Sequence, residues 1–300
     1  DVVSDYTIKI KLLKANPDIL YYLATTDSYM ASPKSIGTAG LKTVPVGSGP
    51  YVYDKSSVPG SQLVFTANAK YWDKSKVKFK KIVFKLMTDV TARLNALLSG
   101  QIDATILDAN TYATAKGRGM TDYLNNVDWQ GIMILDRDGA LSKPLSDVRV
   151  RQAIGYSLDR AALLKAVQKG FGTVTQQPFG KASGAQDSAL ENYYSLDNAK
   201  AKSLLAAAGY PDGLTLDMPA WPDPTMRAVL GDQLAASGIK VNWVSVPGPE
   251  YRNQLKAKKF AIAVYQLGLA NATAWVTINF TAAPEASWNV FGSKDQVISQ

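Results

Sequence analysis

The 300-residue sequence predicts an α/β protein built from two lobes. Helix and strand patterns alternate through its second half, which is typical of a sheet covered by helices. Hydrophobic residues make up 46% of the chain and charged residues 19%, so the chain can bury a sizeable core and is not disordered. The length accommodates two domains of ordinary size.

The first part of the chain is dominated by strand patterns. Apolar and polar residues alternate through Tyr6–Leu13, which predicts a half-buried strand. A short helix is predicted over Asp18–Ala24. Tyr51–Asp54 and Gln62–Ala67 flank a Pro59-Gly60 turn and predict a hairpin.

A strand–helix–strand series follows. Lys81–Met87 and Ile102–Leu107 are predicted strands, and Asp89–Ser99 is the predicted helix between them. This order predicts a parallel pair in the first half. Thr111–Gly117 is a further predicted helix, and Gly131–Leu135 is an apolar strand.

The polar segment Asp136–Ser146 is predicted to carry the chain from one lobe to the other. Residues 1–137 would then belong to lobe I and residues 138–300 to lobe II. Two tandem helices are predicted next, the first capped by Ser146 or Asp147. The second is capped by Asp159 and stopped by Gly170.

The rest of the second half alternates regularly. We expect its strands to share one sheet, because helices separate them. The predicted strands are Leu214–Met218, Ile239–Val246 and Ala261–Leu267, and the predicted helices are Asp197–Ala208, Asp223–Ser237 and Pro249–Lys258.

Several stretches resemble a known family. They are Asp147–Arg160, Val46–Tyr51, Asn68–Trp72, Thr91–Asp103 and Asn198–Gly213, and together they resemble the family 5 extracellular solute-binding proteins. The resemblance implies a type II periplasmic-binding-protein fold and a receptor that serves an ABC importer. By this resemblance, Asp1 matches a point well inside the usual family chain, and the given sequence has no counterpart of the family's C-terminal return to lobe I. Lobe I is therefore expected to be incomplete.

Two absences exclude common chemistry. The sequence has no histidine and no cysteine, which excludes Ser-His and Cys-His catalysis and any zinc or nickel site made of such ligands. We therefore expect no cofactor, no metal site of the protein's own and no tight binding of free nickel or zinc; any bound metal would have to use oxygen ligands or arrive inside a chelate. The net charge of +8 is scattered along the chain without interleaved exposed aromatics, so no nucleic-acid partner is expected.

The candidate ligand-binding residues follow from the rule that ligands collect beyond the carboxyl ends of parallel strands. They are aromatic and amide side chains near predicted strand ends, namely Trp129, Trp221, Tyr265, Gln266, Asn271, Trp275 and Trp288. In peptide-binding members of the family, an aspartate in the loop after the last strand can hold the ligand's ammonium. Here Leu269–Trp275 has no acidic residue, so a neutral or weakly polar ligand is expected. The alternative that some of these tryptophans only pack remains open.

The leading functional hypothesis is a non-enzymatic, monomeric receptor for an oligopeptide or similar small organic ligand. It would act in the periplasm or on the extracellular face of the cytoplasmic membrane. Its partners would be ABC permease subunits, with membrane association only through those subunits or a lipid anchor. One alternative is a secreted hydrolase such as a glycosidase, which would use carboxylates from Asp103, Asp108, Asp217, Asp223 and Glu250. The other is a peptide-sensing interaction protein that does not transport.

Overall fold

The computed structural model describes residues 1–13, 15, 19–24, 28–124, 128–179, 186–268 and 288–293. The chain divides into two compact units, Asp1–Leu107 and Asp108–Gln300. This boundary lies before the predicted crossing at Asp136–Ser146. The assignment of residues 1–137 and 138–300 to two lobes stays a prediction.

The first unit contains a three-stranded antiparallel sheet. Its strands lie in the order Tyr51–Tyr53, Gln62–Ala67, Lys81–Lys85. The hairpin of the first two strands and the capped helix Val90–Leu98 confirm the sequence predictions. The elements are β1 (Val2–Ser4), β2 (Thr7–Ile8), α1 (Ile19–Ala24), β3 (Tyr51–Tyr53), β4 (Gln62–Ala67), β5 (Lys81–Lys85) and α2 (Val90–Leu98).

Two predictions for this unit are wrong. The predicted strand Tyr6–Leu13 is reduced to β2, which pairs with β1, and its side chains are exposed because no other described strand covers them. Ile102–Leu107 forms no strand, since its backbone joins no ladder among the described residues. The predicted parallel pair is therefore absent, and β5 pairs antiparallel with β4.

The second unit alternates helices and strands. Aspartates cap the helices that begin at Val148, Arg160, Asn198 and Pro224 by accepting backbone N–H groups of the first turn, and the caps at Asp147 and Asp159 agree with the sequence prediction. The elements are α3 (Ala109–Gly117), β6 (Asp128–Ile134), α4 (Val148–Tyr156), α5 (Arg160–Gln168), α6 (Asn198–Ala207), β7 (Leu214–Pro219), α7 (Pro224–Ala236), β8 (Ile239–Val244), α8 (Tyr251–Lys256) and β9 (Ile262–Gly268).

The strands of this unit form two ladders. β7 and β8 are parallel, whereas β9 pairs antiparallel with β6. The expectation that β7, β8 and β9 share one hydrogen-bonded sheet is therefore wrong. Strand β9 lies beside β7 through side chains, since Leu216 and Met218 share a core with Ile262 and Val264.

Two hydrophobic clusters lie on opposite faces of the β6–β9 ladder. The larger contains Ile262, Val264 and the buried side of α4, including Val150 and Ile154. The smaller contains Met133 and other residues of the opposite face. Adjacent residues of a strand point to opposite faces, which explains the division. No helix among the described residues combines the length and the apolar character needed to cross a bilayer.

Candidate functional site

A cavity of about 840 Å³ lies within the second unit. One wall is the β6–β9 ladder, and the others are α4, α5, part of α7 and the segment 171–179. Much of its surface is apolar, with contributions from Ile132, Ile134, Leu158, Leu163, Phe171 and Leu230. Its volume is in the range of pockets that hold small organic ligands.

The polar groups of the ladder lie at one end of this wall. Gln130 and Gln266 are direct cross-strand partners, so their side chains share a face. Gln266 Nε2 donates to Asp128 Oδ2 at 2.5 Å. Further along the same face come the pair Ile132 and Val264, and Val264 is buried. The wall is therefore polar near its exposed end and apolar beyond it.

Two arginines also line the cavity. Arg151 lies on α4, and its Nη1 donates to the carbonyls of Leu145 and Ser146 at 2.8 and 3.0 Å. Arg160 begins α5 directly after its cap, and its Nη1 donates to Tyr194 O at 2.9 Å. Burial lowers the pKa of the Arg160 guanidinium from its usual value. Neither arginine is among the candidates selected from the sequence, because those are aromatic and amide side chains near predicted strand ends, whereas both arginines lie on predicted helices.

The segment 171–179 is anchored by Glu191. Its Oε1 accepts from Gln177 Nε2 at 2.8 Å and from Thr175 Oγ1 at 3.1 Å. Gln186 Nε2 donates to the same oxygen at 3.0 Å. These hydrogen bonds lower the pKa of Glu191, and the hydrogen bond from Gln186 has the largest effect. Tyr194 N donates to Gln176 Oε1, which adds a second tie. This wall of the cavity is thus fixed by polar contacts.

The predicted site residues fall into groups. Trp129 and Gln266 line the cavity, and Trp129 also packs against the smaller hydrophobic cluster on the other face of the ladder. Asn271 and Trp275 lie outside the described residues. Trp221, Tyr265 and Trp288 do not line the cavity and belong to the smaller hydrophobic cluster.

That cluster contains a chain of aromatic contacts around Tyr251. Ring centroids are 5.6 Å apart for Trp221 and Tyr251, 6.4 Å for Tyr251 and Tyr265, and 4.4 Å for Tyr265 and Trp288. Trp288 is only 4% exposed, and Lys256 Nζ lies 4.1 Å from its ring centroid. Trp288 therefore packs in the core. A common ligand for all seven predicted residues stays a prediction.

Four of the five acids of the hydrolase alternative make local structural contacts. Asp108 and Asp223 cap α3 and α7. Asp217 accepts from Asn242 Nδ2, and Glu250 accepts from Asn253 Nδ2. Asp103 is exposed. Within the described ranges, no group of three or more Asp or Glu side chains is arranged to hold a metal ion.

Comparison with known proteins gives relatives that are binding proteins. The chain is 28% identical over 286 residues to heme-binding protein A of Haemophilus influenzae, which covers 88% of this chain and 50% of that protein. It is 25% identical over 273 residues to di/tripeptide-binding protein 1 of Pseudomonas aeruginosa, covering 85% of this chain and 50% of that protein. The chain therefore spans about half the length of these relatives.

A solved structure shares the fold. The dipeptide-binding protein of Pseudoalteromonas sp. SM9913 in complex with Met-Leu superposes with a TM-score of 0.77 at 19% identity. The match covers 93% of this chain and 58% of that one. The fold is thus that of the type II periplasmic binding proteins. The sequence model of the family described as "Bacterial extracellular solute-binding proteins, family 5 Middle" matches residues 1–288 of this chain. The chain therefore belongs to family 5 of the bacterial extracellular solute-binding proteins.

Proposed function

We propose that this protein is the substrate receptor of an ABC importer. It captures an oligopeptide or a similar small organic molecule outside the cytoplasmic membrane, in the periplasm or at the extracellular face, and delivers it to the permease subunits. The observation that carries this proposal is the family match over residues 1–288. The cavity supports it, because its apolar walls and few convergent polar groups are typical of a small-molecule site.

The receptor works without catalysis. Glycoside hydrolysis would need two carboxylates facing one scissile bond. Asp108 and Asp223 are instead engaged as helix caps, and Asp217 accepts a hydrogen bond from an asparagine. In this proposal the protein acts as a monomer, and a lipid anchor or the permease holds it at the membrane.

We further propose that recognition uses the predicted residues in two places. Trp129 and Gln266 act at the cavity. Trp221, Tyr265 and Trp288 act from the aromatic cluster, together with Asn271 and Trp275 of the following segment. The lobes would be residues 1–137 and 138–300. Stacking and amide hydrogen bonds suit a ligand with an apolar body.

The test is thermal unfolding of the purified protein with a panel of heme, glutathione and di- and tripeptides. A ligand at about 100 times its Kd stabilises by about 2.7 kcal/mol, which should raise Tm by about 5 °C or more. Mass spectrometry of the recovered ligand should show it unchanged. Release of a cleaved product would contradict the receptor and support the hydrolase.

A variant pair locates the site. Trp129→Ala should weaken binding of the ligand that stabilises most. Trp72→Ala is the control, because Trp72 is 83% exposed and lies in the first unit. Equal affinity in both variants, with the fold intact by circular dichroism, would remove Trp129 from the site.

A further inference from the structure

We infer that the cavity of the second unit takes an organic anion, whose carboxylate is bound by the guanidinium groups of Arg151 and Arg160. This inference rests on the proposed receptor function and names the chemical class of its ligand. It also replaces the expectation of a neutral or weakly polar ligand, which was based on the aromatic and amide candidates and on the lack of an acidic residue in Leu269–Trp275.

The charged side chains that line the cavity favour an anionic ligand. Among the described residues, these are Arg151, Arg160 and Asp128. Asp128 accepts a hydrogen bond from Gln266, so its carboxylate is partly engaged at the ladder. Neither cavity arginine forms a salt bridge with a carboxylate in the described part of the chain. Two arginines and one aspartate leave the lining with a net positive charge, and Arg151 is in addition within electrostatic reach of Asp147, which lies outside the lining.

Arg149, on the same helix, shows the contrast. Its Nε and Nη2 donate to both carboxylate oxygens of Asp147, at distances from 2.6 to 3.2 Å, and it does not line the cavity. A fork of this kind is the preferred arrangement of an arginine with a carboxylate. Arg151 and Arg160 have the same chemistry, but among the described residues their guanidinium groups donate to backbone carbonyls and to no carboxylate.

Both guanidiniums keep free donors. Arg160 donates from Nη1 to Leu158 O and Tyr194 O and from Nη2 to Gly155 O, and its Nε–H makes no hydrogen bond with a described residue. The hydrogen bonds that Arg151 makes with described residues come from Nη1, so its Nη2 and Nε have no partner in that part of the chain. The carbonyl contacts fix both groups in place, and fixed donors lose little entropy when a carboxylate binds.

The uncharged part of the lining indicates what kind of organic body the carboxylate ligand has. Leu158, Leu163 and Phe171 present apolar surface, and the amides of Gln130 and Gln266 lie at the exposed end of the ladder wall. An inorganic anion would leave this apolar surface unfilled. A small organic acid with an apolar or aromatic body uses both parts of the cavity.

The experiment measures selectivity between matched probes by isothermal titration calorimetry at pH 7. The probe pairs are 3-phenylpropanoate and 3-phenylpropanamide, indole-3-propanoate and indole-3-propanamide, and octanoate and octanamide. Each pair keeps the body and exchanges the carboxylate for an amide. For at least one pair, the wild-type protein should bind the acid about tenfold more tightly than the amide.

The variants assign that preference to the arginines. Arg151→Gln and Arg160→Gln should each reduce the acid-to-amide preference about tenfold while the amide affinity changes little, and Arg151→Lys and Arg160→Lys should restore part of it. Arg149→Gln is the matched control and should keep the wild-type preference, because that arginine is paired with Asp147 outside the cavity. A loss caused only by loosened structure would weaken acid and amide equally. The Lys variants keep the test informative if Arg160→Gln fails to fold.

The outcomes separate this inference from the receptor proposal. No preference for any acid, no binding of any probe, or an unchanged preference in the Gln variants would overturn the inference. A neutral ligand that stabilises the protein and is recovered unchanged would also overturn it while leaving the receptor standing. Cleavage of a ligand would contradict the receptor itself.

Discussion

Asp136 is a buried carboxylate at the end of β6 that organises the chain leading into α4. Its Oδ1 accepts from the backbone N–H groups of Gly139 and Ala140 at 2.9 and 3.1 Å. Its Oδ2 accepts from Leu141 and Ser142 at 2.7 and 3.0 Å. Burial alone would raise the pKa of Asp136, but these four hydrogen bonds together lower it below its usual value. The folded state therefore favours the ionised carboxylate.

Asp136→Asn should destabilise the protein by about 2 kcal/mol at pH 7, because hydrogen bonds to a charged group are lost and an amide N–H₂ meets backbone donors. Urea denaturation measures the change, and exposed Asp138→Asn is the control. A lowered folded pKa means that the contribution is present above the ordinary value of 3.8 and fades as pH falls through the folded pKa. A stability difference between wild type and Asp136→Asn that persists unchanged at pH 2 would contradict this account.

The sequence predicted some residues of the cavity and not others. Side-chain type selects Trp129 and Gln266, together with the position of Trp129 just before the predicted crossing and of Gln266 at a predicted strand end, and both residues line the cavity. Similar criteria select Trp288, which packs against Tyr265 and does not line this cavity, so its role in binding stays a prediction. Whether an aromatic ring faces a cavity or a core depends on strand register, which is set by distant partners and is not local in sequence. Arg160 was missed because its burial results from the packing of α5 against other elements.

Strand β6 accommodates the Trp129 ring by means of a glycine. A Cβ added at Gly131 would come within 2.7 Å of Trp129 Cη2, and Tyr265 is the cross-strand partner of Gly131. Gly131→Ala should force the ring to move, lower stability by about 1–3 kcal/mol and shift the tryptophan emission. Gly117→Ala is the control, because nothing lies within 4 Å of a Cβ at that position on α3. Identical emission and stability in the two variants would show that the ring does not occupy this space.

The segment 171–179 is an element held by side chains rather than by a ladder. Glu191→Gln places amide donors against Gln177 and Gln186, so the ties to residues 175–177 should weaken. Hydrogen–deuterium exchange should then be faster at the Gln177 and Tyr194 amides. Exposed Glu250→Gln is the control and should leave these rates unchanged. Equal protection in both variants would contradict the anchoring role of Glu191.

Helices were more predictable than sheets, for a physical reason. The caps at Asp147, Asp159, Asp197 and Asp223 are contacts between residues close in sequence, so local patterns reveal them. Strand partners are chosen over long separations, and β9 pairs with β6 from more than a hundred residues away. The alternation of helix and strand favoured a single sheet and gave no sign of this antiparallel pairing.

At the scale of the whole molecule, the two units differ in how much core they contain. Among the described residues, the first unit buries Val64, Leu94 and Ala96 as its apolar core, whereas both large hydrophobic clusters belong to the second unit. Few buried contacts mean a low free energy of local opening. Limited proteolysis should therefore digest residues 1–50 first and leave a resistant product that contains residues 128–268. Mass spectrometry of the products checks this, and loss of the second unit before the first would contradict it.

As the proposed receptor, this family 5 protein holds a small organic ligand and does not transform it. Native mass spectrometry of the freshly purified protein, followed by denaturation and identification of any released molecule, tests this claim most directly. We expect one small carboxylate-bearing molecule per chain, whose occupancy falls in Arg151→Gln and is unchanged in Arg149→Gln. A protein that carries no molecule and is stabilised by none of the panel ligands, or one that releases a cleaved product, would contradict it.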